Sequence, residues 1–191
     1  WSRMVSDFLK SRALRAAATR EAAPALDAAR YVILSASGAK AHRFEDELLR
    51  DAMQRWRGIS VVDPFQAREV IARVRGAGDM SPTVASRLAT RLGAGRYVLL
   101  ALTSDRDSVR MRLALYETAS NHLVNERHAA LPAGTAFSME TVKPLADSLL
   151  LGHLGVPPAG TRLGGTASLP AQQAFARGGA AIGEWDLAAA E

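Results

Sequence analysis

The plainest pattern in the chain is SVRMRLALYET at residues 108–118. Val109, Met111, Leu113 and Leu115 fall on one side, with Arg110, Arg112, Ala114 and Tyr116 on the other. Alternation with period two predicts a half-exposed antiparallel strand. Before it, RYVLLALTS (96–104) is a continuous apolar run of the kind a buried strand shows, and DRD (105–107) is a turn. After it, ASN (119–121) turns again and HLVNERHAAL (122–131) returns as a third strand. The three make a β-meander whose inner face helices must cover, with the opposite face, Arg110, Arg112 and Tyr116, left to solvent or a partner.

Upstream the period changes. YVILSAS (31–37) is a short β-rich run, and a helix follows from about Arg43 to Arg57, with Phe44, Leu48, Leu49, Met53 and Trp56 on one face. Glu45, Asp46 and Glu47 suit its positive first turn, and Gly58 stops it. ISVVDP (59–64) is a second strand, closed by Asp63-Pro64. Strand, helix, strand with short connections predicts a parallel βαβ unit. A helix from Phe65 to Arg75 presents Val70, Ile71 and Val74. Ser81-Pro82 opens another, Ser as N-cap and Pro at the first helical position, with Val84, Leu88, Ala89 and Leu92 inward and Gly93 at its end. FSMETVKPLADSLLLGHL (137–154) reads as a further helix that either starts near Lys143 or is kinked at Pro144.

The two ends differ from this middle. Residues 1–30 are rich in Ala and Arg, and Trp1, Arg3 and Phe8 suggest a membrane-interface flank; a surface helix or linker is the other reading. VPPAGTRLGGTASLP (156–170) has linker composition. From Ser168, AQQAFARGGAAIG and EWDLAAAE suggest two helices about a turn apart, like the start of a helical-hairpin repeat, with Phe175 and Trp185 as contact residues. The chain opens on Trp and stops in mid-pattern, so it is expected to be part of a longer protein. The expected division is 1–30, an amino-terminal helical or membrane-proximal segment; 31–157, an α/β domain; 158–167, a linker; and 168–191, a tetratricopeptide-like hairpin.

Charge changes the picture little. The net charge is +5, and 21 of the 24 basic residues are Arg, spread along the chain among Asp and Glu. Nucleic-acid binding needs a localised patch, which a high total does not supply. There is no cysteine, which excludes thiol catalysis, zinc–thiolate sites and disulfides. No apolar run is long enough to span a bilayer.

Candidate chemistry is sparse. GAGD (76–79) lies between helices, and GAG (93–95) follows a helix and precedes a strand, the reverse of a dinucleotide loop; neither continues as a Walker sequence. His42, His122, His128 and His153 form no metal-binding pair at helical spacing, and His122 and His128 would stand about 20 Å apart on one strand. GxSxG and SxxK are absent. Ser35 and Asp63, at strand ends, are the best candidates for an enzymatic or small-ligand site, with turn formation as the competing role. No cofactor and no metal are expected.

One resemblance joins these parts. Gly58-Ile59-Ser60-Val61-Val62, the helix-to-strand run Ala89 to Leu99 (ATRLGAGRYVL), Asp107-Ser108-Val109-Arg110-Met111 and Leu115-Tyr116-Glu117-Thr118 resemble the TolB-type amino-terminal domain that precedes tetratricopeptide repeats in many bacterial Ser/Thr kinases, cyclases and regulators. The tail from Ser168 is similar to the repeat that follows that domain. Two positions depart from the pattern: the first strand lacks the usual Pro-Phe ending, and LVNERH stands where an LW…Y closes the meander. The resemblance implies a non-enzymatic α/β module that scaffolds protein contacts, often outside the cytoplasmic membrane.

The expectation is therefore an α/β fold with a mixed sheet, a parallel βαβ start, an antiparallel meander and a C-terminal helical hairpin. The leading function is a non-catalytic protein-interaction or scaffolding domain, either sensor or structural accessory subunit, in a membrane-associated assembly on the extracytoplasmic (periplasmic) side. Trp1, Arg3, Phe8, Arg110, Arg112, Tyr116, Phe175 and Trp185 are its expected partner-binding residues. The competing classes are a small-ligand or enzymatic domain using Ser35 and Asp63, and a nucleic-acid-binding module.

Overall fold

A computed structural model describes residues 25–35, 43–74, 80–152 and 167–183. Strand β1 (Asp27–Ser35) starts four residues ahead of its apolar run and leads to α1 (Arg43–Gln54), β2 (Ser60–Val61), α2 (Pro64–Ala72) and α3 (Pro82–Arg91). The expected meander follows as β3 (Ala94–Ser104), β4 (Ser108–Glu117) and β5 (Leu123–Pro132), then α4 (Met139–Leu151) and α5 (Leu169–Gly183). The five strands form one sheet in the order β2-β1-β3-β4-β5. β1 pairs in parallel with β2 and β3, whereas β3–β4 and β4–β5 are antiparallel. The mixed α/β architecture is the one the sequence patterning implies.

Local chemistry sets the element ends. Asp63 Oδ1 accepts from the Phe65 N–H at 2.7 Å and Ser81 Oγ from the Val84 N–H at 3.4 Å, each followed by Pro at the head of its helix. Those side chains satisfy amides that no helical carbonyl reaches. Gly93 closes α3 with φ +64°. Two residues on, Gly95 leaves no room for a side chain against β1: a Cβ there would stand 2.5 Å from the Asp27 carbonyl oxygen. Pro144 does not delay α4, which begins at Met139 with Ser138 at its cap, so one carbonyl in its first turns lacks an amide partner within the helix.

Helices cover both faces of the sheet, and each face has its own core. On one, α1 and α4 bury Tyr31, Val98, Leu100, Met111, Leu113 and Leu115 with Leu49, Met53, Val142 and Leu149. On the other, α2 and α3 bury Val32, Leu34, Tyr97, Leu99, Ala114 and Tyr116 with Ala67, Ala85, Leu88 and Ala89. This corrects the expectation of a meander with one free face. Arg110 and Arg112 are exposed, but Ala114 is wholly buried, and Tyr116, 9% exposed, stacks on Tyr97 with ring centroids 4.9 Å apart. Phe44 departs from its helical stripe in the opposite sense. It is 56% exposed, because about half a turn separates it from Met53 on the helical wheel.

The C-terminal helix α5 begins on the α/β domain itself. The Arg57 N–H donates to the Ala167 carbonyl at 2.7 Å and the Leu169 N–H to the Arg57 carbonyl at 3.0 Å. Leu169 enters the α1–α4 core at 2% exposure, and Gln173 Nε2 donates to the Leu150 carbonyl at 2.9 Å. The expected second helix of a hairpin lies outside the described residues.

Candidate protein-interaction surface

Alternation along β4 and β5 separates two flanks. On the side of α4, Asn125 lies opposite Leu115, Arg127 opposite Leu113 and Ala129 opposite Met111. On the other, Glu126 lies opposite Ala114, His128 opposite Arg112 and Ala130 opposite Arg110. Among the described residues this second flank is covered only where α3 reaches Ala114 and Tyr116. Beyond that line Thr103, Arg110, Arg112, His128 and Ala130 are exposed.

The open flank is held in order by one carboxylate. Arg112 Nε donates to Glu126 Oε1, and His128 Nε2 lies 2.9 Å from the same oxygen. The Arg112 hydrogen bond lowers the Glu126 pKa below the usual carboxylate range and raises that of Arg112. Both shifts favour the charged pair. With the guanidinium 49% and the imidazole 65% exposed, this is a solvated, prearranged patch of modest stability value. At the other end of β5, a register shift between Leu115 and Tyr116 leaves Val124 without a facing residue. Leu123 and Val124 are there 38% and 45% exposed.

The inner flank of β5 clamps the carboxyl end of α4. Asn125, buried, donates from Nδ2 to the Ser148 carbonyl at 3.0 Å and to the Leu149 carbonyl at 2.8 Å. Arg127 donates to Ser148 Oγ, to Asn125 Oδ1 at 2.7 Å and to the Gly152 carbonyl at 3.1 Å. A helix ends with carbonyls that lack amides, and donors and positive charge are favoured there. Also on α4, Asp147 accepts from Trp56 Nε1 at 2.8 Å and pairs with Arg55 at 3.2 Å, both just past the end of α1. The strand that carries the open patch is thus fixed to the helical layer beneath it.

The residues expected to act divide three ways. Arg110 and Arg112 share the open flank, and Phe175 is exposed on α5, 58% accessible. Tyr116 is not on that surface: it belongs to the α3 core, where the Tyr97 hydroxyl donates to the Pro82 carbonyl at 3.1 Å and also bonds Asn121. Burial, and secondarily Tyr116, raises the Tyr97 pKa. Trp1, Arg3, Phe8 and Trp185 lie outside the described residues, as do His42 and His153. Of the strand-end alternative, the Asp63 carboxylate caps α2, and Ser35 ends β1 beside a segment outside the described residues. Among the described residues no three His, Asp or Glu side chains gather into a metal site, and no helix is long and apolar enough to cross a membrane.

Glu126, Asn125 and Arg127 were not singled out by sequence reasoning, and His128 was weighed only as a metal ligand. For Asn125 a signal existed, a polar residue among inward positions, but the bulge at Val124 hides its parity. Asp46 on α1 was passed over as one of three consecutive acids. Burial, then its acidic neighbour Glu45, raises its pKa to about 6, and its Oδ1 has no hydrogen-bond partner among the described residues.

No family model and no curated protein matches this chain. Solved structures do resemble it. The LpoB C-terminal domain from Salmonella enterica is 12% identical, with a TM-score of 0.44, over 60% of this chain and 90% of that one. Lipoprotein GNA1162 from Neisseria meningitidis is 14% identical, with a TM-score of 0.46, over 63% of this chain and 99% of that one. TolB from Acinetobacter baumannii is 8% identical, with a TM-score of 0.39, over 66% of this chain but only 27% of that one. Likeness of this size carries no functional inference, and membership in the domain family that precedes tetratricopeptide repeats is not shown by it.

Proposed function

We propose that this chain is a non-catalytic protein-interaction domain that presents the open flank of β4 and β5 to a protein partner. One observation carries the reading: α3 stops at Ala114 and Tyr116, so half of one sheet face, with Arg110, Arg112 and His128 set around Glu126, is ordered yet uncovered among the described residues. Exposed arginines at one end of the β4–β5 flank and exposed Leu123 and Val124 at the other end of β5 supply both the charge and the apolar area that interfaces use. Asp63, the acid of the competing strand-end reading, is engaged in capping α2. A membrane-associated setting on the extracytoplasmic side is part of the proposal; its support is the Trp1, Arg3 and Phe8 pattern and the resemblance stated above.

A photo-cross-linking residue placed at Arg110 in the native host tests this. The expected result is a discrete protein adduct that disappears when Arg112→Glu is added and does not form from Arg73, exposed at the end of α2. Equal adducts from both positions, or none from Arg110, would remove the open flank as the docking surface.

A further inference from the structure

We infer that the Asn125 and Arg127 side chains close the outer edge of β5, so that this chain does not pair strand to strand through it while the sheet face beside it stays open. The sheet has two unequal edges. At β2 it is two residues long and is continued by the Arg57–Ser168 bridge, with the backbone of Ala167 and Leu169 bonded to Arg57. At β5 it runs from Leu123 to Pro132, and among the described residues no strand pairs with its outer side. Unpaired backbone groups along an edge of this length are a template for another chain unless something blocks them.

The register says which groups face outward. The Ala133 N–H donates to the Asp107 carbonyl at 3.0 Å, and Ser108 lies opposite Pro132. Bonded and non-bonded pairs alternate along an antiparallel ladder. Asn125, Arg127, Ala129 and Leu131 therefore turn their backbone groups to β4, and Glu126, His128, Ala130 and Pro132 turn theirs out. Glu126 has both of its groups engaged: its N–H donates to Asn125 Oδ1 at 2.9 Å, and its carbonyl accepts from Arg127 Nη1 at 2.7 Å. Pro132 has no N–H to offer, and the register shift at Val124 breaks the ladder ahead of Glu126. Among the described residues this leaves His128 and Ala130 with both outward groups unbonded, a stretch too short to hold an added strand. The closing side chains are themselves anchored. Asn125 Nδ2 is held by the Ser148 and Leu149 carbonyls, and Arg127 by Ser148 Oγ and the Gly152 carbonyl. A strand arriving at Glu126 must break a network fixed to the end of α4 rather than displace loose side chains or water.

Amide hydrogen exchange of the full chain, resolved by residue with NMR and corrected for intrinsic rates, tests the closure. The Glu126 amide should exchange about tenfold more slowly than those of His128 and Ala130, although all three face away from β4. In Asn125→Leu the Glu126 amide should rise to their rate. Sedimentation velocity over a concentration series should then show this variant associating more strongly than the parent. Leu169→Ala, which lowers stability without touching the edge, should match the parent in both measurements. Equal exchange at Glu126, His128 and Ala130 in the parent overturns the closure, as does a Glu126 amide that stays slow in Asn125→Leu. If Asn125→Leu opens that amide yet associates no more than the parent or Leu169→Ala, the closure does not keep strands apart and the inference fails.

Discussion

Replacing Asn125 by leucine tests the attachment of the open strand to its helical layer. The substitution keeps the side chain's size and removes its polar atoms. It strips donors from the Ser148 and Leu149 carbonyls, 3.0 and 2.8 Å away, in a site where Asn125 is 5% exposed. It also takes an acceptor from Arg127 and from the Glu126 N–H, at 2.7 and 2.9 Å. The Ser148 carbonyl keeps the Gly152 N–H as a donor and Arg127 retains Gly152 and Ser148, so the loss is dominated by the Leu149 carbonyl; a buried carbonyl deprived of its donor costs about 1–3 kcal/mol, which is the loss expected. For a chain of this length that is roughly 3–12 °C in the melting temperature. Thermal melts followed by circular dichroism, paired with urea titrations, measure it; Arg112→Ala, at an exposed ion pair, should fall within about 1 kcal/mol of the parent. A melting temperature for Asn125→Leu within about 2 °C of the parent would show that water reaches those carbonyls and that β5 does not clamp α4.

Three further outcomes follow from the packing. Gly95→Ala would put a Cβ 2.5 Å from the Asp27 carbonyl and 2.7 Å from the Ala28 Cα, so β1 and β3 must part; urea unfolding should show a loss of about 1–3 kcal/mol. Leu169→Ala empties a core position that is 2% exposed; it should cost about 2–5 kcal/mol, and limited proteolysis should cut ahead of α5 faster than in the parent. Asp46 holds its proton to about pH 6 when folded, against 3.8 when free, so folding takes up a proton between those values. Its contribution to stability therefore declines as pH rises from about 4 to about 6 and is flat above. Asp46→Asn should abolish that slope and raise the melting temperature at pH 7.5; an unchanged slope would place the carboxyl in solvent.

Much of this fold was legible because its signals are local. Period two in 108–118, the Ser81-Pro82 helix start and the Gly93 stop all act within a few residues, and the structure shows each of them. What failed was the assignment of Ala114 and Tyr116 to a free face. Both residue types occur on either side of a strand, so polarity along β4 could not tell an α3 core from solvent. The remedy lay elsewhere in the chain, in the apolar stripe Val84, Leu88, Ala89 and Leu92, which needs a sheet face of its own. The site's ordering carboxylate was illegible for a different reason: Glu126 meets Arg112 only through a register that a bulge at Val124 displaces.

The half-covered sheet face can be tested in the free protein, because the chain has no cysteine of its own. Single cysteines placed in turn at residues 110 to 116 and 124 to 130, alkylated under native conditions, report each position's access. Cysteines should react fast at Arg110, Arg112, His128 and Ala130, and slowly at Met111, Leu113, Ala114, Leu115, Tyr116 and Asn125. If cysteines at Ala114 and Tyr116 react as fast as those at Arg110 and Arg112, α3 does not cover that end of the sheet, and the boundary that defines the docking flank does not exist.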